Sequence, residues 1–332
     1  MKIILILVLF VYFTHGDQSL SADEHCKPEN RDLKCQCKKN GNLDMLYNGG
    51  DTISSLFISD CDSTSIPEFM GIALHQNLKA ITIHNIKESL TFNPILHTNE
   101  ITALEFVNIG HIPVIQNYGG LEGLKSFRAE NVSIGEFKEQ LTFEAMESFT
   151  LINVEIKYLE NLEIMNKTAK NLRIINCNLI VKQGNLRFES FENIEIVNTK
   201  FEFRIPGEIA LKGKSITLLN NIFFNATVNI TGDKKIEVND TCADGKSLLR
   251  FNSNNKIDII SFNNKLPGNI SYNLSPLWKA DKQSNNTICK GAHCNCQRNN
   301  ARCIRQRLTV VSYFFIMLIC VVKIQEWFHL NL

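Results

Sequence analysis

One short pattern recurs along this chain at nearly constant spacing. It reads apolar–x–apolar–x–Asn, as in Leu172-Arg173-Ile174-Ile175-Asn176. Copies end at Asp60, Asn85, Asn108, Asn131, Asn153, Asn176, Asn198, Asn220, Asp240 and Ser261, with spacings of 25, 23, 23, 22, 23, 22, 22, 20 and 21 residues. Self-similarity at a fixed period of this length is the mark of a stacked repeat protein, in which one unit cannot bury its apolar face alone.

The columns of the repeat have a physical reading. The first is always apolar: Leu56, Ile81, Leu104, Phe127, Phe149, Leu172, Ile194, Ile216, Ile236 and Ile257. The third is apolar in every copy from Ile58 to Ile259, whereas the second is polar or charged except at Phe57. Each copy is therefore expected to be a strand with one buried and one wet face. Stacked in register, the copies make a parallel sheet. That register sets Glu105 beside Arg128 and Arg173 beside Glu195, opposite charges on neighbouring strands. The Asn column shares the parity of the aliphatics, so its amides are expected on the buried side as a structural ladder. An unpaired buried amide costs about 1–3 kcal/mol, and stacked amides can satisfy one another. Asn also tolerates the left-handed turn.

A period of this length leaves room for further strands, and "FEFRI" (201–205) and "ATVNI" (226–230) alternate again. "IPEFMGIALHQNL" (66–78) and "FKEQLTFEAMESF" (137–149) could each hold a short helix. The expected fold is all-β or mostly β: a parallel β-solenoid of about ten coils over residues 51–263, closed by cysteine-rich caps at 17–50 and 264–307. At about 4.8 Å per coil the rod is about 45 Å long. The late copies, such as "ITLLNNIFFNATV" (216–228), resemble the right-handed parallel β-helix of the pectin-lyase type. The early stretch "STSIPEFMGIALHQNLKAITIHN" (63–85), behind a cysteine cluster, also resembles extracellular leucine-rich-repeat proteins. In that family the Asn stands three steps after the last Leu; here Asn85 stands two after Ile83, which suits a β-helix turn better.

Several features point to export. Lys2 precedes "IILILVLFVYF", then Thr14, His15 and Gly16, which reads as a signal peptide over residues 1–16. Nine of eleven cysteines fall in two clusters: Cys26, Cys35, Cys37 and Cys61, then Cys242, Cys289, Cys294, Cys296 and Cys303. Disulfides are the expected use of both. Cys177 shares the phase of Cys61, directly after the ladder residue, and is expected as a packed free thiol. Glycosylation sequons stand at Asn131, Asn166, Asn225, Asn229, Asn239, Asn269, Asn273 and Asn285. Asn131 is both a ladder member and a sequon, and a buried ladder amide should resist the sugar. A second apolar run, residues 308–323, is expected to be a transmembrane helix, with a lipid-anchor signal as the alternative, and residues 324–332 form a short tail. Cys320 lies inside this run.

Chemistry is hard to place. Polysaccharide-cleaving β-helices resemble one another in using clustered Asp, and this chain has no Asp between Asp62 and Asp233. Glu105 and Glu195 stand beside arginines, which favours surface pairing over acid–base work. His75, His84, His97 and His111 fall at different repeat phases. No catalytic residue, cofactor or metal ligand is expected. With 35 basic and 34 acidic residues, the charge balance gives no reason to expect nucleic acid as a partner. The expected role is a non-catalytic, cell-surface recognition or adhesion protein whose partner is an extracellular protein or glycan. The alternatives are a Glu-based carbohydrate-active enzyme and a structural coat protein.

Overall fold

In the computed structural model the described residues are 25–37, 41–44, 53–66, 77–93, 101–116, 123–138, 141–252, 258–267, 271–272, 285–289 and 296. They form a parallel β-solenoid of about nine turns. The segments 1–16 and 308–323, the sequons Asn269 and Asn273, and the cysteines Cys294, Cys303 and Cys320 lie outside the described residues.

The repeat folds as its columns require. Residues 171–175 pair in parallel with 148–152 on one side and 193–197 on the other, Leu172 between Phe149 and Ile194. The charge neighbours Glu105–Arg128 and Arg173–Glu195 fall in the expected register. These strands make the first face of the rod. After the ladder residue the chain turns a corner into a second strand series, with Leu179, Phe201 and Phe223 inward and in register. From Leu141–Phe143 onward a third series follows, with Leu162, Leu186, Ile209, Val228 and Leu249 aligned and buried. Three strand segments per turn are the β-helix plan, and among the described residues nothing supports the leucine-rich-repeat alternative.

The core is a set of stacked columns down the rod axis. Phe127 stacks on Phe149 at 5.2 Å and Phe201 on Phe223 at 5.4 Å. Ala129, fully buried between Phe106 and Leu151, gives the neighbouring rings room. Residues 141–143, expected within a short helix, are extended and pair with Leu162–Ile164. Residues 67–76 of the other helical expectation lie outside the described residues.

The caps belong to the stack. Asp32–Gln36 pairs in parallel with residues 55–59, and Cys26–Glu29 folds back antiparallel on it. Disulfides Cys26–Cys35 and Cys37–Cys61 fasten this end, and Cys242–Cys296 lies near the other. Pro28, in the outermost of the described strands, offers no backbone donor to a further strand. Cys289 closes the short strand Thr287–Cys289. Cys177 is a buried free thiol, and burial pushes it up to about 11.

Candidate functional site

The ladder amides are exposed, not buried, which corrects the parity expectation. Asp60, Asn85, Asn108, Asn131, Asn153, Asn176, Asn198, Asn220 and Asp240 all hold φ between 51° and 59°. The left-handed conformation swings the side chain out at the corner, so the alternation that holds along the strand stops there. Each Asn Nδ2 donates to the Oδ1 of the preceding turn: Asn85 to Asp60 at 2.9 Å, Asn108 to Asn85 at 3.0 Å, Asn131 to Asn108 at 2.7 Å. The chain of bonds continues through Asn153, Asn176, Asn198 and Asn220.

Ser261 is not a member. It pairs with Val238, and the residue that follows Asp240 in the ladder is Asn263, which donates to it; Asn285 then donates to Asn263 at 2.8 Å. A slip of two residues keeps every side chain on its face, so alternation could not detect it. The two Asp residues occupy a consistent place. A carboxylate only accepts, so Asp60 and Asp240 each receive the next amide and start a run. Asn85, together with Gln36 and Ser59, hydrogen-bonds Asp60 and holds its carboxyl below the usual range.

Behind the exposed ladder lies a second, inner one. In the early turns the position after the ladder residue is apolar: Ile86, Ile109, Val132 and Val154. From Thr199 it is polar and buried, continuing through Asn221, Thr241 and Asn264. Asn221 accepts from the Thr199 backbone at 3.0 Å and donates to the Ile196 carbonyl at 2.8 Å. Asn264 does the same with Thr241 at 2.8 Å and Val238 at 2.6 Å. Buried amides used this way bridge successive turns with no partner missing. This column is structural.

The first face carries two outward columns beside the ladder. One is the charged column. Glu105 lies 3.5 Å from both His84 and Arg128, and Arg173 Nε donates to Glu195 at 2.9 Å. Both glutamates are thus held in surface pairs. The other column stands directly before the ladder residue; it opens with Ser59 and His84 and turns mostly aliphatic from Val107 to Leu219. Val107, Ile152, Ile175, Val197 and Leu219 point outward along the rod, with Glu130 and Asn239 interrupting and Phe262 at the far end. Leu219 is 37% and Phe262 49% exposed. The sequence carried a signal for this column that the first and third places of the repeat overshadowed: the fourth place, at an outward parity, is apolar in Val107, Ile152, Ile175, Val197 and Leu219.

A shallow groove of about 460 Å³ follows the other flank of the ladder. It is lined by the ladder amides Asn108, Asn131 and Asn153, by Lys87, Gly110, Ser133 and Glu155, and by the buried Ile109 and Val132 between them. Gly110 is required there: a Cβ would stand 2.3 Å from the Lys87 carbonyl oxygen.

The described sequons are scattered. Asn131 and Asn285 are exposed on ladder turns. Asn229 and Asn239 stand on outward strand positions, donating to Glu208 and Glu237. Asn166 and Asn225 donate to backbone carbonyls at corners. Among the described residues no group of three or more His, Cys, Asp or Glu could hold a metal ion, and no helix is long and apolar enough to cross a membrane. No family model, curated protein or solved structure matches the chain.

Proposed function

We propose that this chain is an extracellular recognition protein, tethered by residues 308–323, that binds a protein partner along the first face of the rod. The observation that carries the reading is the outward aliphatic column of Val107, Ile152, Ile175, Val197 and Leu219. Water-facing strand positions are normally polar, and apolar side chains aligned over several turns of a flat sheet suit a partner's apolar surface. The paired charges of the adjacent column would form its rim. On the outward columns of this face no sequon occurs between Ala80 and Leu219; the one on its bordering ladder, Asn131, stands at the corner. Three disulfides support the oxidising compartment that such a role needs.

The test is binding of the secreted ectodomain to cells and extracellular matrix. Saturable binding is expected, and Ile175→Lys and Val197→Lys should each remove most of it while leaving unfolding nearly unchanged. Binding that is absent, or indifferent to both substitutions, refutes the reading. Treating intact cells with a phospholipase that cuts glycolipid anchors separates a lipid tether, which is released, from a transmembrane helix, which is not.

A further inference from the structure

We infer that Asn131 carries an N-linked glycan whose first sugar lies in the groove beside the ladder. The inference depends on passage through the secretory pathway and not on the proposed partner. Asn131-Val132-Ser133 is a sequon, and all three of its residues line the groove. The left-handed turn, φ 54°, presents the Asn131 amide at the surface.

Glycan transfer is compatible with the ladder. Nδ2 forms a bond to the sugar C1 as the C1–O bond to a lipid-linked pyrophosphate donor breaks, and one amide hydrogen leaves as a proton. The second hydrogen remains to donate to Asn108 Oδ1, and Oδ1 still accepts from Asn153 at 2.9 Å. The groove offers polar partners to a sugar: Lys87, Ser133 and Glu155 line it within reach of hydroxyls, over the buried Ile109 and Val132. Asn229 and Asn239 differ: the Oδ1 of each is buried without a hydrogen-bond partner, and Nδ2 is held by a glutamate on the same face.

The experiment uses the full chain expressed in a secreting eukaryotic cell. Peptides released by a peptide-N-glycosidase in heavy-oxygen water are read by mass spectrometry. Peptide 129–138 is expected to carry heavy-oxygen aspartate at 131. Ser133→Ala removes the sequon but keeps the ladder amide, so it should lose one glycan's worth of gel mobility shift and still be secreted. A secreted chain with residue 131 unmodified overturns the inference, whether or not other sequons are occupied. Seating is tested by enzymatic release from the native protein. Release at Asn131 should be several-fold slower than at the fastest site, with the difference gone after denaturation. Equal native rates overturn the seating.

Discussion

Replacing Asn176 separates the two things a ladder residue does. In the native protein Asn176 holds φ 56°, donates to Asn153 at 3.1 Å and accepts from Asn198 at 3.0 Å. Alanine loses both bonds and must occupy the left-handed region with a Cβ. The conformational cost is about 1–2 kcal/mol, and each bond contributes about 0.5–1.5 kcal/mol, toward the low end because the ladder is exposed. Asn176→Ala should therefore destabilise the rod by about 2–4 kcal/mol. Asn176→Gly loses the same bonds but not the left-handed penalty, and should cost roughly 1 kcal/mol less, partly offset by its freer unfolded chain. Urea unfolding followed by far-ultraviolet circular dichroism, with the slope m compared across variants, reads both values. An alanine variant no less stable than the glycine variant, or both within about 0.5 kcal/mol of the parent, would refute the assignment of the column as turn-former and amide ladder.

Three further outcomes are expected. The lowered Asp60 carboxyl contributes stability that is present above its ordinary value of 3.8 and is lost as pH falls through the folded value; Asp60→Asn should flatten the fall in stability below about pH 4, and an unchanged slope would remove that role. Cys177, raised by burial from 9.0 to about 11, keeps its proton at neutral pH; alkylation mapped by mass should label it only after denaturation, and rapid native labelling would contradict its burial. Unfolded thiols ionise first above about pH 9, so this group also lowers native stability as pH rises from there toward 11. Ala129→Phe overfills the layer beside Phe106 and Phe127 and should cost about 1–3 kcal/mol in urea unfolding; a neutral effect would show the core to be looser than its stacked rings imply.

Much of the fold was legible because side chains alternate along a strand and the repeat supplies many copies of each column. Leu172 and Ile174 are buried and Arg173 faces water, as the pattern requires. The same parity misplaced Asn176, because alternation describes extended backbone and the ladder residue is where extension ends. It also misassigned Ser261, since Ile257 and Ile259 fit the apolar columns as well as Ile259 and Ser261 do. The groove at Asn131 was not legible at all. It exists because a corner, three amides and the bare Cα of Gly110 meet across neighbouring turns, and none of these is a local property of the sequence. The inner column of Thr199, Asn221, Thr241 and Asn264 reads in isolation as a set of costly buried polar residues; only the contacts between turns show them satisfied.

The exposed ladder is directional. Every ladder Asn donates toward the amino-terminal end, and each one followed by another Asn also accepts from the carboxy-terminal side, so a turn inside a run both gives and receives a bond. An Asp serves only at the start of a run. The length of the rod is therefore not fixed by any interior turn. One whole repeat removed between two ladder asparagines, Asn153 and Asn176 for instance, leaves the amide ladder able to close on the next copy, although it takes Arg173 away and sets Glu195 beside Thr150. A chain built this way can be lengthened or shortened in units of one coil while its two ends stay the same, and the reach of its outer face becomes a quantity that duplication can adjust.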